Sequence, residues 1–268
     1  MSEHVVGGGV GTGGAGPGET VVASFADLAG RVAVVTGASR GIGAATARAL
    51  AAQGVSVALV ARDGQRLADV AAGVERSLAV PTDCTDADAL AAAAARVREE
   101  MGPVSLLCAF AGGSGFPVPS VEETPAHWRQ VLESDLTSTF LTIRAFLPDL
   151  LTTRGVVVTM ASSAGRQAGR SNAAYAAAKA GVVSLTRHLG VELAPRGVRV
   201  NCVAPSTVEN ERWATASEEQ RRGAASVIPL GRIGQPDDVV SAVLFLASDA
   251  AAWITGITLD VAGGFATH

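Results

Sequence analysis

Along the chain, short unbroken apolar runs alternate with longer stretches in which apolar residues recur every three or four positions. The runs are Val32–Thr36, Val55–Ala61, Leu78–Pro81, Val104–Phe110, Gly155–Met160, Val198–Val203 and Ile257–Asp260. A continuous apolar run of this length fits a strand buried on both faces, the situation of strands in a parallel sheet. The helical stretches are Ile42–Gln53, Gly64–Arg76, Ala87–Glu100, Pro125–Leu151, Ala173–Ala194 and Pro236–Ser248. Strands separated by helices predict right-handed crossovers. The expected fold is therefore a doubly wound α/β, Rossmann-type three-layer sandwich with a seven-stranded parallel sheet. No internal repeat or second domain breaks the pattern, so residues 26–268 read as one domain.

Residues 1–25 differ. Gly7 to Gly18 holds eight glycines with neither period, which predicts a flexible tail. Its Gly9, Gly11 and Gly13 imitate a nucleotide-binding spacing but lack a preceding strand and a following amphipathic helix. Hydrophobic residues make up 48% of the chain and aromatics 4%, so the core must be built from Ala, Val and Leu. No apolar run approaches the ~20 residues of a membrane span, and no basic segment precedes an apolar one as in a signal peptide. The formal charge of −4, without a basic block, argues against nucleic acid as a partner. Cys84, Cys108 and Cys202 lie far apart, without metal-ligand spacing. Their odd number points to reduced thiols, a cytoplasmic location and no metal site.

Two local patterns carry chemistry. The run Val32–Thr36 leads into Gly37-Ala-Ser-Arg-Gly41-Ile-Gly43 and then a helix. Gly37 permits a tight turn, Gly41 lets a pyrophosphate approach the backbone, Gly43 lets helix and strand pack closely, and the helix N-terminus offers free amides to phosphate. The second pattern is compositional. Of 21 basic residues only Lys179 is a lysine, and the single tyrosine, Tyr175, stands four residues before it, on the same face of a helix. Ser162, at the carboxyl end of the Gly155–Met160 run, lies where open α/β sheets bind ligands.

The segments Thr36–Gly43, Tyr175-Ala-Ala-Ala-Lys179, Arg199-Val-Asn-Cys-Val-Ala-Pro205 and Asp260-Val-Ala-Gly-Gly264 resemble the classical short-chain dehydrogenases/reductases over about residues 28 to 264. Within that family the chain is most similar to bacterial 3-oxoacyl-carrier-protein reductases and polyketide ketoreductases. The resemblance implies catalysis by Ser162, Tyr175 and Lys179, with the thirteen-residue Ser–Tyr spacing favouring Ser162 over Ser163. It implies nicotinamide cofactor contacts at Ser39, Ile42, Pro205 and Val208, adenine contacts at Asp83 and Cys84, and ribose contacts at the backbone of Ala111 and Gly112. Tyr175 and Lys179 should also contact the cofactor, Lys179 through the hydroxyls of the nicotinamide ribose. Hydride delivery builds charge on a carbonyl oxygen; Tyr175 would supply its proton, Lys179 would stabilise the phenolate, and Ser162 would hydrogen-bond the oxygen.

Arg62 follows the second strand, where an acid would select a ribose 2′-hydroxyl, and Arg40 can reach the same region. The pair favours the 2′-phosphate of NADPH. Asp63 could accept the hydroxyl of NAD instead, if the strand ran one residue longer. By the same resemblance, Asp135 stands at the tetrad position that is usually Asn, at a helix distortion of the family, where a carboxylate could hold the water that relays protons to Lys179. Other departures are Ala109-Phe-Ala-Gly112 and Pro205-Ser206. Ser206–Leu230 should form a mobile lid and Gly113–Pro119 the opposite wall, with Phe116, Val208 and Trp213 offering apolar contact that suits an aromatic or acyl polyketide ketone, as it would many other small-molecule carbonyls. Arg154 and Arg196 are candidates for docking a carrier protein, although Arg196 also suits a helix C-terminus. The rival readings are an NAD-dependent alcohol or sugar dehydrogenase and a non-catalytic cofactor sensor. The resemblance also implies a homotetramer, with the two longest helices paired across symmetry axes. Light scattering at micromolar concentration should therefore give four times the monomer mass, and a monomer alone would refute this.

Overall fold

The computed structural model describes residues 22–113, 116–169 and 171–266. Most of the expected glycine-rich tail lies outside the described residues. At its inner boundary Val22 and Phe25 pack against the core, so the folded chain reaches back past the boundary drawn from composition.

Seven parallel strands form one sheet in the order β3-β2-β1-β4-β5-β6-β7. They are β1 (Val32–Thr36), β2 (Ser56–Ala61), β3 (Ser77–Pro81), β4 (Leu106–Ala109), β5 (Val156–Met160), β6 (Arg199–Pro205) and β7 (Thr258–Val261). The helices are α1 (Gly41–Ala52), α2 (Gly64–Ala71), α3 (Ala87–Met101), α4 (Pro125–Leu132), α5 (Ser138–Thr153), α6 (Ala173–Leu193), α7 (Glu211–Ala214), α8 (Glu218–Ala225) and α9 (Pro236–Ala247). Alternate strand residues serve opposite layers. Ala33, Val35, Val57 and Leu59 join a core with α1, α2 and α9, whereas Val34, Ala58 and Val60 join one with α3 and α5. Both faces are thus covered, as the unbroken apolar runs required. Among the described residues no helix is long and apolar enough to cross a membrane, and no group of three His, Cys, Asp or Glu is placed to hold a metal.

The structure departs from the sequence pattern in three places. β4 is shorter than its apolar run because the flanking amides are taken by side chains: Val104 N donates to Asp149 Oδ2 at 3.3 Å and Phe110 N to Thr36 Oγ1 at 2.9 Å. α2 ends at Ala71, where Gly73 and the left-handed Arg76 (φ +52°) turn the chain into β3. The expected helix Pro125–Leu151 is interrupted by a π-turn over Glu133–Thr137. The wider turn adds one residue to the helical repeat and aims Asp135 inward, where it is fully buried.

β1 and β4 are neighbours although β2 and β3 intervene in sequence, so the sheet reverses its direction of winding between them. Thr36 ties the carboxyl ends of these strands together: its buried Oγ1 accepts both Phe110 N (2.9 Å) and Ala111 N (3.0 Å). Thr36→Val preserves shape but strands two amides. It should lower the unfolding free energy by about 2–4 kcal/mol in urea titrations, while Thr36→Ser retains most of it.

Candidate active site

A cleft of about 1260 Å³ opens at the carboxyl ends of the strands, at the reversal between β1 and β4. This is where open α/β sheets bind ligands. Gly37 (φ +67°) turns the chain out of β1, and a Cβ there would lie 2.9 Å from Phe110 O. A Cβ on Gly43 would lie 2.3 Å from Gly37 O, so α1 can seat against the turn only with glycine there. Gly41 (φ +54°) differs: an added Cβ would meet nothing within 4 Å, and the residue borders the cleft. Its backbone is open to a ligand at the start of a twelve-residue helix, which suits the pyrophosphate of a dinucleotide. Every residue expected to contact the cofactor borders this one cleft: the glycine loop with Ser39, Arg40 and Ile42, then Arg62, Asp83, Cys84, Ala111, Gly112, Tyr175, Lys179, Pro205 and Val208.

Ser162, Tyr175 and Lys179 meet at the same cleft. Ser162 follows β5, and its Oγ accepts Ala164 N at 3.2 Å; Ser163 is buried and does not border the cleft. Tyr175 and Lys179 project from the first turns of α6, which is capped by Asn172: its Oδ1 accepts Tyr175 N at 2.6 Å. The cap is itself fully buried, and its Nδ2 donates to Phe116 O at 2.8 Å, joining the cleft wall to α6.

Lys179 is 3% exposed. Its Nζ donates to Met160 O at 3.1 Å, pairs with Asp135 Oδ1 at 3.2 Å and lies 5.5 Å from the centre of the Tyr175 ring. Burial opposes the ammonium, but the negative charges of an ionised Tyr175 and of Asp135 outweigh it and raise the lysine above its ordinary value. Asp135 is held in turn by Gly113 N (2.6 Å to Oδ1) and Ser134 Oγ (2.7 Å to Oδ2). A Cβ on Gly112 would approach Asp135 Oδ1 to 2.5 Å, which fixes glycine there. The carboxylate expected to act on Lys179 through water instead touches it directly, because the π-turn carries it the remaining distance.

The far end of the cleft is charged. β2 ends at Ala61, so Arg62 is the first residue beyond the strand. Asp63 turns towards α2, where Oδ1 caps Arg66 N at 3.1 Å and Oδ2 pairs with Arg66 Nε at 3.4 Å. Asp83 accepts Thr85 N and Thr85 Oγ1 at 3.0 and 2.8 Å. The backbone bond holds its carboxyl below the usual range against the effect of burial, helped by the Thr85 hydroxyl and Arg62. Burial pushes the neighbouring Cys84 thiol up to about 11, so it meets a ligand as a neutral group.

Some expectations need correction. Trp213 does not border the cleft, whereas Phe116 and Val208 do. Arg154 and Arg196 lie in the turns that lead into β5 and β6, at the amino edge of the sheet, so they are away from the cleft mouth at its carboxyl edge. Sequence reading missed Asn172, Thr36, Arg66 and Glu211. Asn172 carried a signal, since an Asn three residues before Tyr175 at a helix start is an N-cap.

The comparisons agree with this geometry. Residues 37–266 match the family model described as Enoyl-(Acyl carrier protein) reductase. The chain is 40% identical to the cis-4-hydroxycyclohexanecarboxylate dehydrogenase of Sinomonas cyclohexanicum, over 89% of this chain and 97% of that protein. It is 36% identical to the 3-oxoacyl-[acyl-carrier-protein] reductase of Escherichia coli K12, over 88% and 97% of the two chains. A solved short-chain oxidoreductase from Pseudomonas aeruginosa PAO1, described as containing an atypical catalytic center, superposes with a TM-score of 0.85 at 36% identity, covering 90% of this chain and 99% of that one. The chain belongs to the classical short-chain dehydrogenase/reductase family and is an oxidoreductase of the type that uses a nicotinamide cofactor.

The Lys179–Asp135 pair has a direct consequence for stability. Asp135→Ala leaves a buried ammonium without its carboxylate and should cost about 3 kcal/mol in urea denaturation at pH 7. Asp135→Asn keeps an oxygen acceptor and should cost less than half of that. The Lys179 contribution is complete below the ordinary lysine value of 10.5 and fades only as pH climbs through the higher folded-state value. The Asp135→Ala deficit should therefore shrink only in strongly alkaline solution.

Proposed function

We propose that the protein is an NADPH-dependent ketoreductase that reduces a ketone of polyketide or 3-oxoacyl type to a secondary alcohol. The observation that carries the reading is the convergence of Ser162, Tyr175 and a buried, charge-compensated Lys179 on one cleft with arginines at its opposite end. The reduced nicotinamide, when bound, supplies hydride to the carbonyl carbon. Ser162 Oγ donates a hydrogen bond to the carbonyl oxygen as negative charge grows on it. Tyr175 gives that oxygen its phenolic proton, and the Lys179 ammonium stabilises the phenolate left behind. Met160 O and Asp135 fix where the ammonium sits, so that its charge is already in place when the phenolate forms. The glycine loop would hold the pyrophosphate, Asp83 and Cys84 would border the adenine, and Ala111 and Gly112 the ribose.

Arg62, with Arg40 beside it in the cleft, supports the 2′-phosphate over the 2′-hydroxyl. The engagement of Asp63 as the cap of α2 supports the same choice. A second reading, NAD-linked oxidation of an alcohol, is favoured by the likeness to a hydroxycyclohexanecarboxylate dehydrogenase. Reduction of a ketone panel with each cofactor separates the two. Cytoplasmic location and a homotetrameric assembly accompany the ketoreductase reading.

NADPH should bind at least tenfold more tightly than NADH, and Arg62→Asp should reverse that order in fluorescence titrations; equal affinities in the unmodified protein would overturn the cofactor assignment. Tyr175→Phe should lower kcat by a factor of about a thousand while cofactor affinity stays within twofold, because removing a general acid costs about two to four orders of magnitude. Asp135→Asn should remain active. With one negative charge removed beside Lys179, the fall in rate at high pH should begin at a lower pH, and loss of all activity would give the carboxylate a chemical role that this mechanism lacks.

A further inference from the structure

The lid contributes an anion to the charged end of the cleft. Glu211, the first residue of α7, bridges two arginines: Oε1 lies 2.9 Å from Arg66 Nη1 and Oε2 3.3 Å from Arg40 Nη1. Arg40 belongs to the glycine loop and Arg66 to α2, so one carboxylate links the lid to both elements that flank the cofactor's adenosine end. Glu209, two residues earlier, is spent within the lid, where it holds Arg221 through two contacts of 2.9 and 2.7 Å. The side chains of Arg40, Arg66 and Glu211 are 67%, 48% and 60% exposed, so each pair is open to solvent and weak enough to be exchanged for another anion.

We infer that Glu211 discriminates between cofactors: its carboxylate competes with a 2′-phosphate for Arg40 and Arg66, so that phosphate binding loosens the lid. A phosphate monoester and a carboxylate seek the same guanidinium N–H groups. A 2′-hydroxyl carries no charge and cannot displace Glu211. Binding a 2′-phosphorylated nucleotide therefore exchanges a lid contact for a ligand contact, and the arginines hold the phosphate less tightly than they would without the lid. The inference rests on the 2′-phosphate reading made above.

The test uses fragments that lack the nicotinamide. Adenosine 2′,5′-bisphosphate and 5′-AMP are titrated calorimetrically into the full-length protein and its Glu211→Gln variant at low ionic strength. In parallel, tryptic cleavage at Arg221 and Arg222 is followed by mass spectrometry. Glu211→Gln should tighten bisphosphate binding about fivefold and leave 5′-AMP unchanged, with the gain shrinking as salt screens the pairs. Without nucleotide, the variant lid should be cut several times faster than the unmodified one. Bisphosphate, but not 5′-AMP, should accelerate cleavage of the unmodified protein. Unchanged or weaker bisphosphate binding by the variant, in a protein that prefers the bisphosphate, would overturn the competition and leave the cofactor reading intact. Equal affinity of the unmodified protein for both nucleotides would instead overturn the cofactor reading. In that case an unchanged cleavage rate in Glu211→Gln would also dispose of the link between lid and arginines.

Discussion

An ammonium group removed from water must find charge and acceptors nearby, and much of the active-site architecture follows from meeting that need at Lys179. The Asp135 carboxylate and the Met160 carbonyl meet it. Asp135 reaches the lysine because a π-turn displaces it inward. Gly112 must lack a side chain to admit that carboxylate, and Gly113 and Ser134 donate to it. Helix distortion, the glycines after β4 and the catalytic helix are thus bound by one electrostatic requirement. A carboxylate adds negative charge where the family usually has an amide. It secures the ammonium with a full opposite charge rather than with a dipole.

The sheet sets the scale for this cluster. Thr36 locks the end of β1 to the start of the segment after β4, and Gly43 allows α1 to rest on the same turn. Those contacts make the cleft floor out of backbone atoms, whose positions are fixed by the strand register. The segment 206–230 is anchored at its two ends by backbone hydrogen bonds to Gly234 and Gly263 and by the buried Val208 and Ile228, whereas Glu211 between them is held by exposed ion pairs, which cost little to exchange.

What the sequence made legible was local. The glycine loop could be read because a strand and a helix flank it, and Tyr175 and Lys179 because a four-residue spacing defines one helix face whatever surrounds it. The seven apolar runs were legible since both sheet faces are covered. The π-turn was not visible as a break in the hydrophobic pattern: a single inserted residue changes the direction of Asp135 without changing composition. α8 escaped notice because Glu218–Ala225 buries no residue and so has no apolar stripe. The contacts of Glu211 with Arg40 and Arg66 span 171 and 145 positions, beyond any spacing rule. The position of Arg154 and Arg196 follows from topology alone, because a residue that leads into a parallel strand stands at the edge opposite the one where ligands bind.

The buried Asn172 has a consequence for how this enzyme could acquire new substrates. One of its amide atoms caps the helix of Tyr175 and the other holds the backbone of Phe116 in the cleft wall. On the proposed ketoreductase reading, the wall that would meet the substrate and the helix that would deliver the proton share this one residue as a joint. On that reading, remodelling the wall for a bulkier substrate would tug on the helix of Tyr175, and turnover as well as affinity would register the change. Specificity in such a scaffold evolves more freely from the lid side, where no comparable joint reaches the tyrosine among the described contacts.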